Sequence, residues 1–184
     1  MRTVVIGSGS WGTALAQVLQ DNHQEVMVYG VAENEVNDIN ENHKNSKYFG
    51  DVELNPELKA TTDIECVKGA DIVLLAVPTI AIDPICHQIN DLLEKKTIII
   101  NVSKGFHPET NERMSQVIRR CIDEDKLSSV VSLIGPSHAE EVVIRLLTTI
   151  DAISLKNEDA LTVQNLFCGE LDVDGRDWFA KPFY

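Results

Sequence analysis

The chain has 184 residues, 43% of them hydrophobic, which suits one packed domain and excludes a disordered polymer. Its 29 acidic residues outnumber 16 basic ones, and the net charge of −13 argues against a nucleic-acid backbone or an anionic membrane as partner. The longest apolar run, residues 72–82, is broken at Pro78 and Thr79. A membrane span needs about 20 apolar residues, so no insertion is expected.

The opening run Val4-Val5-Ile6 stops at Gly7, and glycines recur at Gly9 and Gly12. Ala14, Leu15, Val18 and Leu19 then follow at helical spacing. This is G-x-G-x-x-G between a strand and a helix, the setting in which the motif binds a dinucleotide. Gly7 allows a tight turn, Gly9 lets the backbone approach a pyrophosphate, and Gly12 lets the helix pack close on the strand. Amide N–H groups at the helix start then face the anion, helped by the helix dipole. An ordinary strand–helix turn is the competing reading of the three glycines.

Residues 25–29 read as a second strand closing at Gly30, followed by a polar helix over 33–40. An acidic residue at the end of this strand marks an NAD site and a basic one an NADP site. Gly30 and Val31 are neither, and Glu33 falls slightly late, so NAD and NADP both stay open. Residues 41–61 are polar and turn-rich, an excursion over one edge of the sheet. Within it Tyr48 either covers an adenine or anchors the loop to the core. Thr62-Asp63-Ile64-Glu65 matches a capping box and predicts a short helix. The apolar run at 71–78 predicts a strand buried on both faces, at the centre of a parallel sheet.

Asp83 and Pro84 read as a cap and first-turn pair, with Ile85, Ile89, Leu92 and Leu93 on one helical face. Residues 97–102 form a strand ending in Ser103-Lys104-Gly105. Met114, Val117, Ile118, Cys121 and Ile122 mark an amphipathic helix. Residues 129–134 give a further strand ending at Gly135-Pro136-Ser137, and a last helix covers 158–167. Ser137 with Glu140 forms a second capping box. This alternation predicts an α/β fold: a Rossmann-like, doubly wound, mostly parallel sheet over residues 1–168. Residues 169–184 form a separate polar and aromatic tail.

Cys66, Cys86, Cys121 and Cys168 include no C-x-x-C pair, and no histidine stands at metal-ligand spacing to them. No metal is expected. Buried free thiols at Cys86 and Cys121 suit a reducing cytoplasm. No charged n-region with a cleavage site precedes the first strand, so no signal peptide is expected.

Ligands of a doubly wound sheet bind beyond the carboxyl ends of the strands. That puts residues 7–12, 103–105 and 135–137 along one rim. Lys104 is then a cation at the mouth of a dinucleotide site, suited to bind a phosphate or polarise a carbonyl. The plainer reading is a solvated lysine. Ser137 can cap its helix and hold an anion at the same time. His138 has no evident partner, and no Ser–His–Asp or paired-carboxylate arrangement follows from the spacing.

On these residues the chain resembles the cofactor-binding half of the bacterial type of NAD(P)-dependent glycerol-3-phosphate dehydrogenase. Gly7-Ser8-Gly9-Ser10-Trp11-Gly12-Thr13-Ala14-Leu15-Ala16 is similar to the family's opening motif. Ser103-Lys104-Gly105 and Gly135-Pro136-Ser137-His138-Ala139-Glu140-Glu141-Val142 resemble its next two, in order, across residues 1–145. The resemblance implies NAD or NADP as cofactor, held by Gly7, Gly9, Ser10, Trp11, Gly12, Tyr48, Lys104 and Ala139. It implies Lys104, Gly135 and Ser137 as contacts of sn-glycerol 3-phosphate or dihydroxyacetone phosphate. The reaction implied is hydride transfer between the reduced nicotinamide and the ketone of dihydroxyacetone phosphate, supplying glycerol 3-phosphate for phospholipids.

The family's catalytic lysine belongs to a second, helical domain that these residues do not include. No catalytic residue is therefore assigned, and weak or absent turnover by the chain alone is expected. Arg145-Leu146-Leu147 stands where the family usually has a proline-containing turn, and Val31 where it often has a basic residue. Residues 169–184 do not follow the family. Two further readings stay open: a non-catalytic dinucleotide-binding module, and a related dehydrogenase acting on another hydroxy acid. The sequence specifies no oligomeric state, so a homo-oligomer is left open.

Overall fold

In the computed structural model, residues 1–168 are described, and the expected tail at 169–184 lies outside them. In chain order the strands are β1 (Arg2–Ile6), β2 (Glu25–Tyr29), β3 (Lys59–Thr61), β4 (Ile72–Leu75), β5 (Thr97–Asn101), β6 (Leu127–Ile134) and β7 (Asp151–Ile153). The helices are α1 (Ser10–Asp21), α2 (Glu33–Asn37), α3 (Ser46–Phe49), α4 (Thr79–Leu92), α5 (Met114–Cys121), α6 (Ala139–Val143) and α7 (Asn157–Phe167). No helix among the described residues is long and apolar enough to cross a membrane.

Every side chain of β4 and β5 is buried, because helices cover both faces of these strands. Successive residues alternate between two cores. Val5, Leu74 and Ile100 pack with Ala14, Leu15 and Leu19 of α1 and with the apolar sides of α6 and α7. Val4, Ile6, Val73, Leu75 and Ile99 face Ile82, Cys86 and Ile89 of α4 and Met114, Val117 and Ile118 of α5. The strand order is β3-β2-β1-β4-β5-β6-β7, parallel throughout except for the antiparallel β6–β7 edge pair. The expected doubly wound sheet is present, with β4 at its centre. The chain runs outward from β1 in one direction and returns to β4 on the other side. That reversal opens the crevice in which such sheets take their ligands.

Four local expectations are corrected. Within the polar excursion, β3 pairs with β2 through only three residues, Lys59, Ala60 and Thr61, too short and too polar to show a strand pattern. The expected helix over 33–40 ends earlier as α2 and passes into a wider turn, Asp38–Asn42. The cap expected at Thr62 is Asp63 instead, whose carboxylate accepts the Glu65 N–H at 2.9 Å and starts a single 3₁₀ turn, Ile64–Val67.

The largest correction concerns α4, which begins at Thr79 rather than at Asp83 and carries Pro84 inside it. Starting early brings Ile82 into the core, fully buried beside Cys86 and Ile89. Ile85 and Leu92 are only partly buried. Pro84 cannot donate to the Ile80 carbonyl one turn back, and both residues lie on the exposed side of the helix.

Arg145 explains how the chain turns without the family's proline. It sits in the left-handed region at φ 64° just past α6. Its N–H bonds the Val142 carbonyl at 3.0 Å, and the Leu146 N–H bonds Glu141 at 2.9 Å, the paired bonds of a Schellman stop. The guanidinium then grips the Asp21 carboxylate at the end of α1 with two contacts, 2.8 and 3.2 Å.

Candidate dinucleotide site

The crossover from β1 to α1 is built on three glycines with three different constraints. Gly7 has φ 119°, and a Cβ there would lie 2.5 Å from the Ala76 carbonyl oxygen. A Cβ on Gly12 would stand 2.0 Å from the Gly7 carbonyl oxygen, so the helix approaches the turn as closely as backbone permits. Gly9 differs. Nothing lies within 4 Å of the Cβ it lacks, and this open side is a cradle that a side chain would fill. Gly9 is also the N-cap of α1, its carbonyl accepting the Thr13 N–H at 3.0 Å. The N–H groups of Ser10, Trp11 and Gly12 thus have no helical carbonyl to bond. Open space beside unpaired N–H groups at the positive end of a 12-residue helix fits a diphosphate.

A buried polar network holds this loop from below. Asn45, fully buried, donates to the Ser8 carbonyl (2.8 Å) and to the Thr13 hydroxyl (2.9 Å). The Ser8 hydroxyl donates to Glu35 at 2.5 Å, and Lys47 pairs with the other oxygen of that carboxylate at 2.6 Å. Burial alone would push the Glu35 carboxyl up. The hydrogen bonds from Lys47 and Ser8 and the Lys47 charge outweigh it, and the group is held below its ordinary value. Sequence reasoning missed this network. The acidic residue weighed after β2 was Glu33, and the folded chain uses Glu35 instead.

Three strand ends converge as expected. A cavity of about 330 Å³ on the rim is lined by Ser10 and Trp11 of the crossover, Ser103 and Lys104 after β5, and Ser137 and Ala139 after β6. A second, about 530 Å³, adjoins it through Ser103 and Lys104 and extends to Gly105, Gly135 and Arg113. Lys104 therefore stands between the two. Its segment is fixed by the Ser103 hydroxyl, which donates to the Val77 carbonyl at 2.5 Å, and by the Ser103 N–H, which bonds Asn101 Oδ1 at 3.3 Å. Gly135 is required where it is, since a Cβ would lie 2.6 Å from the Thr149 carbonyl oxygen. Arg113 is a second cation at this site. Its sequence context gave no signal, because the helix it opens comes back to the rim only in three dimensions.

Ser137 does not cap α6. His138 occupies the N-cap position without a side-chain cap bond, and Ser137 lies one residue earlier, nearly buried, with its N–H on the Gly135 carbonyl at 3.1 Å. The His138 side chain is exposed, 3.9 Å from Glu141. Tyr48 lines neither rim cavity; the Lys47 ammonium lies 5.0 Å from its ring centre. The buried anchor of that excursion is its neighbour Phe49.

Away from the rim, Asp83 and His87 of α4 and Cys121 of α5 bring possible ligand atoms within 4.8 Å of one another. Asp83 is paired there with the Arg120 guanidinium at 2.8 Å, and His87 Nε2 lies 3.2 Å from its other oxygen. The Asp83–Arg120 pair ties α4 to α5.

Residues 2–160 match the family model described as NAD-dependent glycerol-3-phosphate dehydrogenase N-terminus. Glycerol-3-phosphate dehydrogenase [NAD(P)+] of Listeria innocua is 46% identical over 167 residues, 90% of this chain and 49% of that protein. The enzyme of the same name from Streptococcus uberis is 41% identical over the same shares. The chain thus spans about half the length of the curated relatives it matches. A glycerol-3-phosphate dehydrogenase structure from Coxiella burnetii superposes with a TM-score of 0.83 at 25% identity, covering 92% of this chain and 51% of that one. With the fold, the glycine crossover and the rim in agreement, the chain belongs to the family of NAD-dependent glycerol-3-phosphate dehydrogenase N-terminal domains.

Proposed function

We propose that these residues are the cofactor-binding half of a glycerol-3-phosphate dehydrogenase, which moves a hydride from NAD(P)H to dihydroxyacetone phosphate, or in reverse from sn-glycerol 3-phosphate to NAD(P)+. The observation that carries this reading is the rim cavity, where the crossover, Lys104 and Ser137 meet. The relatives named glycerol-3-phosphate dehydrogenase [NAD(P)+] support the cofactor and substrate class. The nicotinamide supplies or accepts the hydride; the residues here bind, orient and neutralise.

The first-turn N–H groups of α1 hold the diphosphate, with Gly7, Gly9 and Gly12 giving it room. Ser10, Trp11 and Ala139 wall the cofactor side of the cavity. Lys104, between the two cavities, balances the substrate phosphate or polarises the ketone oxygen, and Gly135 and Ser137 flank it on the substrate side. When the ketone carbon gains a hydride, its oxygen needs a proton. The family resemblance assigns that donor to a lysine of the helical half. Residues 1–184 by themselves then bind nucleotide and reduce the ketone slowly or not at all. The buried free thiols Cys86 and Cys121 support a reducing, cytoplasmic setting.

The test is a titration of the chain with NADH and with NADPH, exciting tryptophan and reading nicotinamide emission. Saturable energy transfer that Trp11→Phe largely removes is expected, with no rapid cofactor oxidation when dihydroxyacetone phosphate is added. Absence of saturable binding by either nucleotide would overturn the reading. Rapid oxidation would overturn the assignment of the proton donor.

A further inference from the structure

We propose that this chain discriminates for NAD(H) against NADP(H), and that Val31, Glu35 and Lys47 set the preference. The inference rests on the dinucleotide reading above. In a doubly wound sheet the adenosine ribose lies just beyond the carboxyl end of β2, and a 2′-phosphate there needs a cation to meet it. The end of β2 in this chain offers none. Tyr29 is followed by Gly30, Val31, Ala32, Glu33, Asn34 and Glu35, with two carboxylates and no basic residue. Val31 is 85% exposed, so nothing in the described structure screens the space above it.

Three distances tie Glu35 to this spot. A Cβ on Gly30 would lie 2.5 Å from the Ser8 hydroxyl oxygen, so that hydroxyl sits directly against the end of β2. The same hydroxyl donates to Glu35 at 2.5 Å. The Glu35 carboxylate, 7% exposed, is therefore one hydroxyl away from the ribose position. Its second oxygen holds Lys47 at 2.6 Å. Lys47 is the cation of this corner, and its charge is already matched. The neighbouring hollow, lined by Glu35, Asp38, Glu41 and Lys47, carries more negative than positive charge.

A phosphate dianion placed here has two outcomes, both unfavourable. It can sit beside Glu33 and Glu35 unpaired, which like-charge repulsion opposes. Or it can take Lys47 away from Glu35, which leaves a nearly buried carboxylate held by the Ser8 hydroxyl alone. An unphosphorylated ribose meets neither cost, because its hydroxyls are neutral and leave the Glu35–Lys47 pair intact. Asp38 and Lys44 are the other charged groups near the turn. Asp38, which accepts the Ser46 N–H at 2.7 Å, adds negative charge, and Lys44 pairs with Asp51 at 3.0 Å and so supplies no spare positive charge.

The deciding experiment measures dissociation constants of NADH and NADPH for the full chain, side by side and at one ionic strength, by the energy-transfer titration. Like-charge contact is worth enough that NADH should bind tighter by at least about tenfold. Val31→Arg, at an exposed position that leaves the core untouched, should tighten NADPH by about tenfold and change NADH little. Glu35→Gln, which releases Lys47, should narrow the gap from the other side. NADPH binding as tightly as NADH to the unaltered chain would overturn the inference alone. So would a Val31→Arg variant whose NADPH affinity does not rise. Binding of neither nucleotide would overturn the dinucleotide reading and this inference with it.

Discussion

Gly9 and Gly12 are three residues apart at one crossover, the first the N-cap of α1 and the second in its first turn, yet their missing side chains do different things. At Gly12 a methyl group would be driven into the Gly7 carbonyl. Gly12→Ala should therefore cost about 1–3 kcal/mol of stability through overpacking, read as a lower urea midpoint. At Gly9 the methyl would enter open space. Gly9→Ala should cost at most about 1 kcal/mol, the ordinary N-cap penalty, while nucleotide affinity falls sharply because the cradle is filled. Equal loss of stability in both variants would contradict this division.

Glu35 gives a pH-dependent companion. Its carboxyl is held below its usual value in the folded chain, so its contribution is fully present above the unfolded value of about 4.3 and is lost as pH falls through the lower folded value. Glu35→Gln should cost about 1–3 kcal/mol near neutral pH, and the difference from the unaltered chain should shrink below about pH 4. Denaturant midpoints measured at pH 7 and pH 3 check it. A gap that stays constant between them would contradict the assignment.

Among the elements, those that bury both faces were the legible ones. β1, β4 and β5 read directly from unbroken apolar runs, and α1 and α5 from apolar residues at helical spacing. Legibility failed where local signals competed with the core. Asp83-Pro84 looks like a helix start, but burying Ile82 drew the helix back to Thr79 and left the proline inside it. Ser137 and Glu140 look like a capping box, but the chain enters α6 one residue later. β3 has too few residues for alternation to show and exists because β2 offers it an edge. The cost of the α4 compromise is testable. Pro84→Ala restores the N–H to the Ile80 carbonyl and should raise stability by about 1–3 kcal/mol, seen as an increase in Tm. A decrease would mean that the proline ring contributes packing that outweighs the missing bond.

At the scale of the whole molecule, a chain with net charge −13 takes an anionic ligand only through local donors, and the sheet gathers these at one rim. That gathering was legible because parallel topology sends every strand's carboxyl end the same way, so three motifs far apart in sequence had to converge. The underlying contacts of Ser8, Glu35, Asn45 and Lys47 were not legible, since they join β1, α2 and the excursion only through tertiary packing. Arg113 escaped for the same reason.

The central claim is that amides of the first crossover grip a dinucleotide opposite Lys104. Its most direct measurement is a two-dimensional amide NMR titration of the labelled chain with NADH. The account predicts the largest shifts at Gly7, Gly9, Ser10, Trp11 and Gly12, with a second group at Ser103, Lys104, Ser137 and Ala139. Shifts centred elsewhere on the sheet, with the crossover amides unmoved at saturation, would contradict it.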